Sequence, residues 1–275
     1  MTAIRDLSRL CVHTMTTKPW SVDEAAEAYS AAGVSGMTLW RDVYADRDPA
    51  DVGAMVRGHG LQIVALCRGG FFPHAQAEGR QEAIEDNKRA IEEAAHLGAP
   101  QVVLVCGAVP GQPLELSRRQ IRDGIEAVLP HAEQHDIHLA IEPLHPMYAD
   151  DRSAMTTLGQ ANDMAEAIDS ALLGVALDVY HLWWDPDLED QIKRCGAADD
   201  LLAFHICDWK TPTTDLLLDR GLMGEGCIDI PLIRGWVEAA GFEGFHEVEI
   251  FSTAYWQSDQ NEFLEKIKQA YLEHA

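Results

Sequence analysis

Eight short apolar runs, separated by stretches with helical periodicity, constrain this 275-residue chain more than any other feature. In order they read RLCVHT, GMTLWR, LQIVALC, QVVLVCG, IHLAIEP, LGVALDV, LLAFHIC and FHEVEIF. Each is apolar along its length rather than at alternate positions, the pattern of a strand buried on both faces. The helical stretches between them carry start and stop signals. Ser21 followed by Glu24 forms a capping box ahead of AAEAYSAAG. Ser117 is placed to cap the helix through IRDGIEAVLPHAEQH. Gly33, Gly60, Gly98 and Gly241 stand just before strands, where a left-handed helix end is wanted. Eight βα units in a chain of this length predict an α/β fold, a single (β/α)8 barrel over residues 1–275 as one domain. A doubly wound sheet would need a glycine-rich phosphate turn after the first strand, and VHTMTTKPW is not one.

Two βα segments are long: 107–116 after the fourth strand and 207–227 after the seventh. On a barrel such loops build the catalytic face. The balance of 21 basic against 45 acidic residues, a net charge of −24, repels nucleic acid and anionic membranes, so neither is an expected partner. No apolar run is long enough to span a bilayer, and the opening MTAIRDLSRL lacks the order of a signal peptide. The six cysteines (Cys11, Cys67, Cys106, Cys195, Cys207 and Cys227) form no C-x-x-C pair. Together these features lead us to expect a cytoplasmic protein with reduced thiols.

Polar residues at the ends of the last four strands carry the chemical signal. Strand five ends in Glu142, strand six in Asp178, strand seven contains His205 and strand eight contains Glu249, each embedded in apolar sequence where an unpaired charge is costly. In a barrel these four ends are neighbours. Three carboxylates would repel one another, so a divalent cation is the economical explanation; the alternative is that each pairs with an Arg or Lys of the interior. Three oxygen ligands and one imidazole suit Mn²⁺ first, with Mg²⁺, Co²⁺ or Fe²⁺ also compatible; Zn²⁺ more often draws further His or Cys. Aromatics gather at the same end: Trp40 with Arg41, Phe71 and Phe72, Trp183 and Trp184. Flat rings suit a sugar face or a polyphenol, although rim packing places rings there too. His13, at the end of strand one, and His74 are further candidates for substrate contact, and Lys210 and Arg220 are the basic residues of the seventh loop.

IEPLHP, ALDVYH, FHICDWK and HEVEIF resemble the four signature strands of the xylose-isomerase-like barrels, a superfamily of sugar isomerases, ketose epimerases and endonuclease IV. The resemblance implies that Glu142, Asp178, His205 and Glu249 bind one divalent metal, and that His181 with Lys210 or Arg220 contacts substrate oxygens. The endonuclease branch uses three zinc ions and further histidines. Strand four here ends CGAVPG and the seventh loop reads Asp219, Arg220, Gly221, so a DNA substrate is not expected. In the epimerases the two metal-binding glutamates, here Glu142 and Glu249, move the proton through a metal-stabilised enediolate. Their strand-five motif usually runs Glu-Pro-hydrophobic-Asn, whereas His145 stands in the fourth place here.

EPLHPMYADDRS is instead similar to the catalytic alpha subunit of metal-dependent C-glycoside deglycosylating enzymes. That resemblance implies a lyase that breaks the carbon–carbon or carbon–oxygen bond between sugar and aglycone of a 3-keto glycoside by β-elimination. His145 would take the proton from carbon 2. It also implies a smaller β-rich partner subunit and an oligomer. A sugar isomerase or 3-epimerase is the alternative, and a non-catalytic sugar-binding subunit a third. His145 could instead order its own loop by bonding Asp150 or Asp151.

Overall fold

A computed structural model describes residues 4–275. Among the described residues ten strands form, in chain order β1 (Leu10–His13), β2 (Gly36–Trp40), β3 (Gln62–Gly70), β4 (Gln101–Val105), β5 (His138–Glu142), β6 (Leu173–Asp178), β7 (Leu201–Ile206), β8 (Asp208–Trp209), β9 (Arg220–Gly221) and β10 (His246–Val248). Eight of them close a barrel in the order β1-β10-β7-β6-β5-β4-β3-β2, with parallel pairing all round. These are the eight strands read from the sequence, and the fold is a single α/β TIM barrel. β8 and β9 form a small antiparallel pair inside the seventh βα loop.

The helices are α1 (Val22–Ala32), α2 (Pro49–Gly58), α3 (Ala77–Leu97), α4 (Leu114–His135), α5 (Leu158–Ile168), α6 (Val179–Leu182), α7 (Leu188–Ala197), α8 (Ile230–Ala239), α9 (Thr253–Trp256) and α10 (Gln260–His274). The α1 capping box forms as expected: Ser21 Oγ accepts from the Glu24 backbone N–H, and Glu24 Oε2 accepts from the Ser21 N–H at 2.8 Å. Gly33 and Gly98 end α1 and α3 in the left-handed region, with φ of 77° and 79°, where a side chain is strained. Ser117 departs from expectation. Pro113 already stands at the N-cap with φ −56°, so α4 starts at Leu114 and Ser117 is buried in its first turn, accepting from the Gln112 side chain.

Side chains of a strand point alternately to the helices and to the barrel axis. The outer residues, such as Leu39, Leu66, Val102, Leu139, Leu177 and Phe204, join the helices in the main apolar core. The inner residues are small: Ala65, Cys67, Val103, Ala140, Ala176 and Ala203 form their own cluster on the axis. That small-residue layer leaves room for charged side chains near the C-terminal ends of the strands. Among the described residues no helix is long and apolar enough to cross a membrane.

Candidate metal centre and its cavity

Glu142 closes β5, Asp178 closes β6, His205 lies near the end of β7, and Glu249 follows β10, with its backbone N–H donating to Ile206 O at 3.2 Å. Because the strands run parallel, these ends meet at one rim. One ligand atom from each of the four lies within 4.8 Å of the others, and all four residues are buried. Asp178 caps α6: its Oδ1 accepts from the Tyr180 N–H at 2.8 Å, which fixes the carboxylate.

Glu142 Oε1 and His205 Nδ1 are 2.9 Å apart, yet both are buried and neither has hydrogen-bond geometry with any partner. Leaving such groups unsatisfied costs about 1–3 kcal/mol each. Two atoms that converge without bonding, within a set of three carboxylates and an imidazole, fit a divalent cation placed between them. Burial opposes a charge on His205, but Glu142 and Glu247 push its pKa up to about 10, another mark of excess acid here. Burial also raises Asp178 to about 7, with Arg220 pulling the other way.

Arg220 is the basic residue that reaches this rim. Its Nη1 donates to Asp178 Oδ2 at 3.0 Å, to Glu249 Oε2 at 2.8 Å and to Glu249 O at 3.2 Å. Burial would raise the Glu249 pKa, but Arg220 and His13 hold it well below the usual carboxylate range. The loop that delivers Arg220 is built around Asp208, whose carboxylate accepts backbone N–H bonds from Trp209, Gly224, Gly226 and Ile228. Gly226 has to be glycine, since a Cβ there would stand 2.1 Å from Trp209 O. Lys210, the other candidate, bonds Asp219 Oδ1 at 3.1 Å and lies over the Tyr255 ring, outside the cavity wall. His181 Nε2 sits 3.3 Å from Arg220 Nη2 and 3.5 Å from Asp178 Oδ2; burial and the Arg220 charge keep it neutral.

Beneath the rim lies a second layer that the sequence reading missed. Glu247 Oε2 accepts from Thr38 Oγ1 at 2.5 Å, stands 3.1 Å from His13 Nε2, and is 3.9 Å from His205 Nε2. His13 Nδ1 is 3.2 Å from Glu249 Oε1. Burial lowers the His13 pKa, but the two glutamates overcome it and raise it to about 9. The signal was available: in HEVEIF, Glu247 is two residues before Glu249 and therefore shares its inward face.

Above the rim opens a cavity of about 290 Å³, floored by Glu142 and Glu249 and walled by Trp40, Leu144, His181, Arg220 and Phe251. Its volume is at the small end of ligand sites, room for one sugar-sized molecule. Several expected contacts lie elsewhere. His13 has no exposed surface and lies below Glu249, so substrate cannot reach it. Arg41 turns outward to Asp86 and Glu93 of α3. Trp183 packs on Trp209 at 5.7 Å, Phe72 is buried in the core, and His74 is on the surface. Trp184 Nε1 donates to His181 O at 2.8 Å, supporting the site from behind.

His145 does not line the cavity either. Glu142 and Leu144 face inward, so the alternation turns His145 away. Its ring lies 5.6 Å from Trp184 and 5.2 Å from Trp209, and its Nδ1 accepts from the Met147 N–H at 3.2 Å rather than meeting Asp150 or Asp151.

The protein SMc04130 from Sinorhizobium meliloti 1021 superposes with a TM-score of 0.93 at 47% identity, over 97% of this chain and 98% of that one. The inosose isomerase of Bacillus velezensis is 24% identical over 235 residues, 82% of this chain and 79% of that protein. The C-glycoside deglycosidase alpha subunit of Arthrobacter globiformis is 32% identical over 127 residues, which is 44% of this chain and 29% of that protein. The sequence pattern of the xylose isomerase-like TIM barrel matches residues 24–269, nearly the whole chain, and the chain belongs to that family.

Proposed function

We propose that this protein is a divalent-metal-dependent enzyme that moves a proton on the carbon beside a carbonyl of a sugar or cyclitol, as an isomerase or epimerase does. One observation carries the reading: the converging, unbonded pair Glu142 Oε1 and His205 Nδ1 within a four-residue donor set at the floor of a sugar-sized cavity. Glu142, Asp178, His205 and Glu249 would hold the metal, Mn²⁺ first among the candidates and Mg²⁺, Co²⁺ or Fe²⁺ after it. When bound, it polarises a ketone oxygen and the adjacent hydroxyl.

The chain supplies the rest. Glu142 has an oxygen without a hydrogen-bond partner and is the better placed carboxylate to take the proton; Glu249, held anionic by Arg220, is the second. Neutral His181 can bond a substrate hydroxyl, and Arg220 places positive charge beside the oxygen where negative charge develops. Leu144, Trp40 and Phe251 keep water from the reacting carbon. The likeness to an inosose isomerase over 82% of the chain supports a polyol ketone as substrate. Five buried, unpaired cysteines are compatible with residence in the cytoplasm.

A second reading, β-elimination from a 3-keto glycoside, is favoured by the match to the deglycosidase alpha subunit. It requires His145 to leave Trp184 and Trp209 and to reach past Leu144, and it brings with it a β-rich partner subunit. The deciding experiment supplies Mn²⁺-loaded protein in deuterated water with an inosose, a free ketohexose and, separately, a 3-keto C-glucoside. Deuterium entering the carbon beside the carbonyl of the inosose or ketohexose supports the isomerase reading. Aglycone release without such exchange supports elimination, and neither result with any of the three removes both.

A further inference from the structure

Three cations line the cavity mouth with no acid paired to them. Lys18 follows β1, Arg68 lies in β3 and Arg152 follows β5, and all three border the same cavity as Glu142 and Glu249. Among the described residues, none of the three makes an ion pair or a side-chain hydrogen bond. The chain has 45 acids for 21 bases, and the other cations with neither contact, Arg5, Arg119 and Lys266, are exposed, whereas Arg68 and Arg152 are not. Elsewhere the acids are readily used: Arg41 holds two, and so do Lys193 and Arg194.

Each of the three instead lies over an aromatic face. Arg68 is 4.2 Å from the Phe71 ring, Arg152 is 5.5 Å from Tyr148 and Lys18 is 4.8 Å from Trp256. Stacking steadies a cation while leaving its N–H donors free for a ligand. Arg68 and Arg152 are both half-buried, and burial together with the Arg152 charge lowers the pKa of Arg68. Two guanidinium groups that repel each other on one small cavity, with the floor carboxylates Glu142 and Glu249 in the same cavity but paired with neither, form an arrangement that an incoming anion relieves.

We propose that the molecule this cavity takes carries an anionic group, a carboxylate or a phosphate, bound by Arg68 and Arg152 with Lys18 at the outer edge. Its carbonyl end then rests on the Glu142–Glu249 floor, a placement that relies on the keto-sugar reading above. The substrate class becomes a polyhydroxy keto acid or a ketose phosphate rather than a neutral sugar.

The test uses three probes on one skeleton, D-fructose, D-fructuronate and D-fructose 6-phosphate, with inorganic phosphate and acetate as skeleton-free anions. Binding to Mn²⁺-loaded protein is read by calorimetry, and deuterium wash-in is read separately by mass spectrometry. At least one anion should bind about tenfold or more tighter than its neutral counterpart, glucose serving as the counterpart of the simple anions, as expected for charge-assisted hydrogen bonds. Preference for fructuronate and acetate assigns a carboxylate; preference for the phosphates assigns a phosphate. The ratio of charged to neutral affinity should fall about tenfold in Arg152→Gln, which changes a loop and not a strand, and likewise in Arg68→Gln. No anion binding tighter than its neutral counterpart overturns the proposal, as does a ratio unchanged in both variants. Anion preference without deuterium in any ketose leaves this inference standing and removes the keto-sugar reading. Equal wash-in and equal affinity for neutral and charged ketoses do the reverse.

Discussion

His246 and Glu247 are neighbours on β10, each 1% exposed, and they face opposite sides of the barrel wall. Glu247 points to the axis, where it joins Glu142, Asp178 and Glu249 against His13, His205 and Arg220. His246 points to the helices. Its Nδ1 is 3.0 Å from the Tyr271 hydroxyl, and nearby Arg9 and Arg234 both bond Glu238 Oε1, at 3.1 and 3.0 Å. Burial is the same on the two faces, but the field has opposite sign. Inside, glutamates raise His13 to about 9 and His205 to about 10. Outside, burial with Arg9 and Arg234 lowers His246 to about 3. Burial disfavours the charged ring at all three histidines, and it wins at His246 with Arg9 and Arg234 adding to it, whereas at His13 and His205 the glutamates overcome it. The inner face holds more acid than its cations match, a balance that a divalent ion would redress, whereas the outer face is closed with a neutral ring.

The strongest way to break that contrast is to remove an inner ligand. Glu142→Gln deletes one ligand and one negative charge. Metal affinity, by titration against a chelator, should fall by more than the ~10² typical of losing an outer-shell partner, with turnover following. The same change should raise the melting temperature of metal-stripped protein, because it relieves acid crowding, and reduce the gain on adding Mn²⁺. A variant that keeps full metal affinity shows that the cluster is not a metal centre. Glu247→Gln is the next smaller step. It leaves all four donors in place and weakens only the support behind His13 and His205, so metal affinity should fall about 10- to 100-fold. Loss as complete as in Glu142→Gln would make Glu247 itself a ligand.

Half of that contrast could be read from sequence. The strand ends showed themselves because Glu142, Asp178, His205 and Glu249 stand together at four consecutive strand ends, where a separate interior Arg or Lys for each is a less economical explanation than one shared cation. Continuous apolar strands and glycines such as Gly33 and Gly98 marked the barrel for the same reason, since each states a local constraint. What did not show was direction. Arg41 beside Trp40 looked like a rim pair, but the turn after β2 aims it at Asp86 and Glu93, partners 45 and 52 residues away. His13 looked like a substrate contact because it ends a strand, yet it lies one layer below Glu249. Choosing Arg220 over Lys210 needed the loop geometry set by Asp208.

The outer face yields a smaller, pH-dependent effect. In the unfolded chain the His246 imidazole protonates near 6.5, but in the fold only near 3. Between those values the unfolded state binds the extra proton, so the stability held above pH 6.5 is lost as pH falls. By pH 5 this single group should cost about 2 kcal/mol. Other carboxylates titrate in the same range, so the comparison is with His246→Phe, which keeps a ring beside Tyr271 and Phe204 and removes the proton site. Urea unfolding at pH 7 and pH 5 should show the wild type losing about 2 kcal/mol more than the variant. Equal losses would mean that Glu238, 3.6 Å from His246 Nε2, lets the ring charge after all.

The smallest expected effect tests the same alternation at the mouth of β5, where Glu142 and Leu144 turn into the cavity and His145 turns away. Burial lowers the His145 pKa, so the ring is a neutral imidazole near pH 7, chemically able to accept a proton. Position argues against that role. A general base has to come within hydrogen-bond reach of the proton it takes, and here the ring rests on Trp184 and Trp209 while its Nδ1 accepts from the Met147 N–H. His145→Ala should therefore leave metal content unchanged and lower wash-in of deuterium by less than about tenfold, through loosened packing under Trp209 and the Arg220 loop. A positioned base is worth roughly 10² to 10⁴ in rate. A loss of that size, in aglycone release from a 3-keto C-glucoside and with metal still bound, would mean that the loop after β5 swings His145 into the cavity when substrate arrives. The elimination reading would then replace the isomerase one. A small loss keeps proton transfer with the carboxylates of the floor, and makes the histidine a support for the aromatic wall that holds the seventh loop in place.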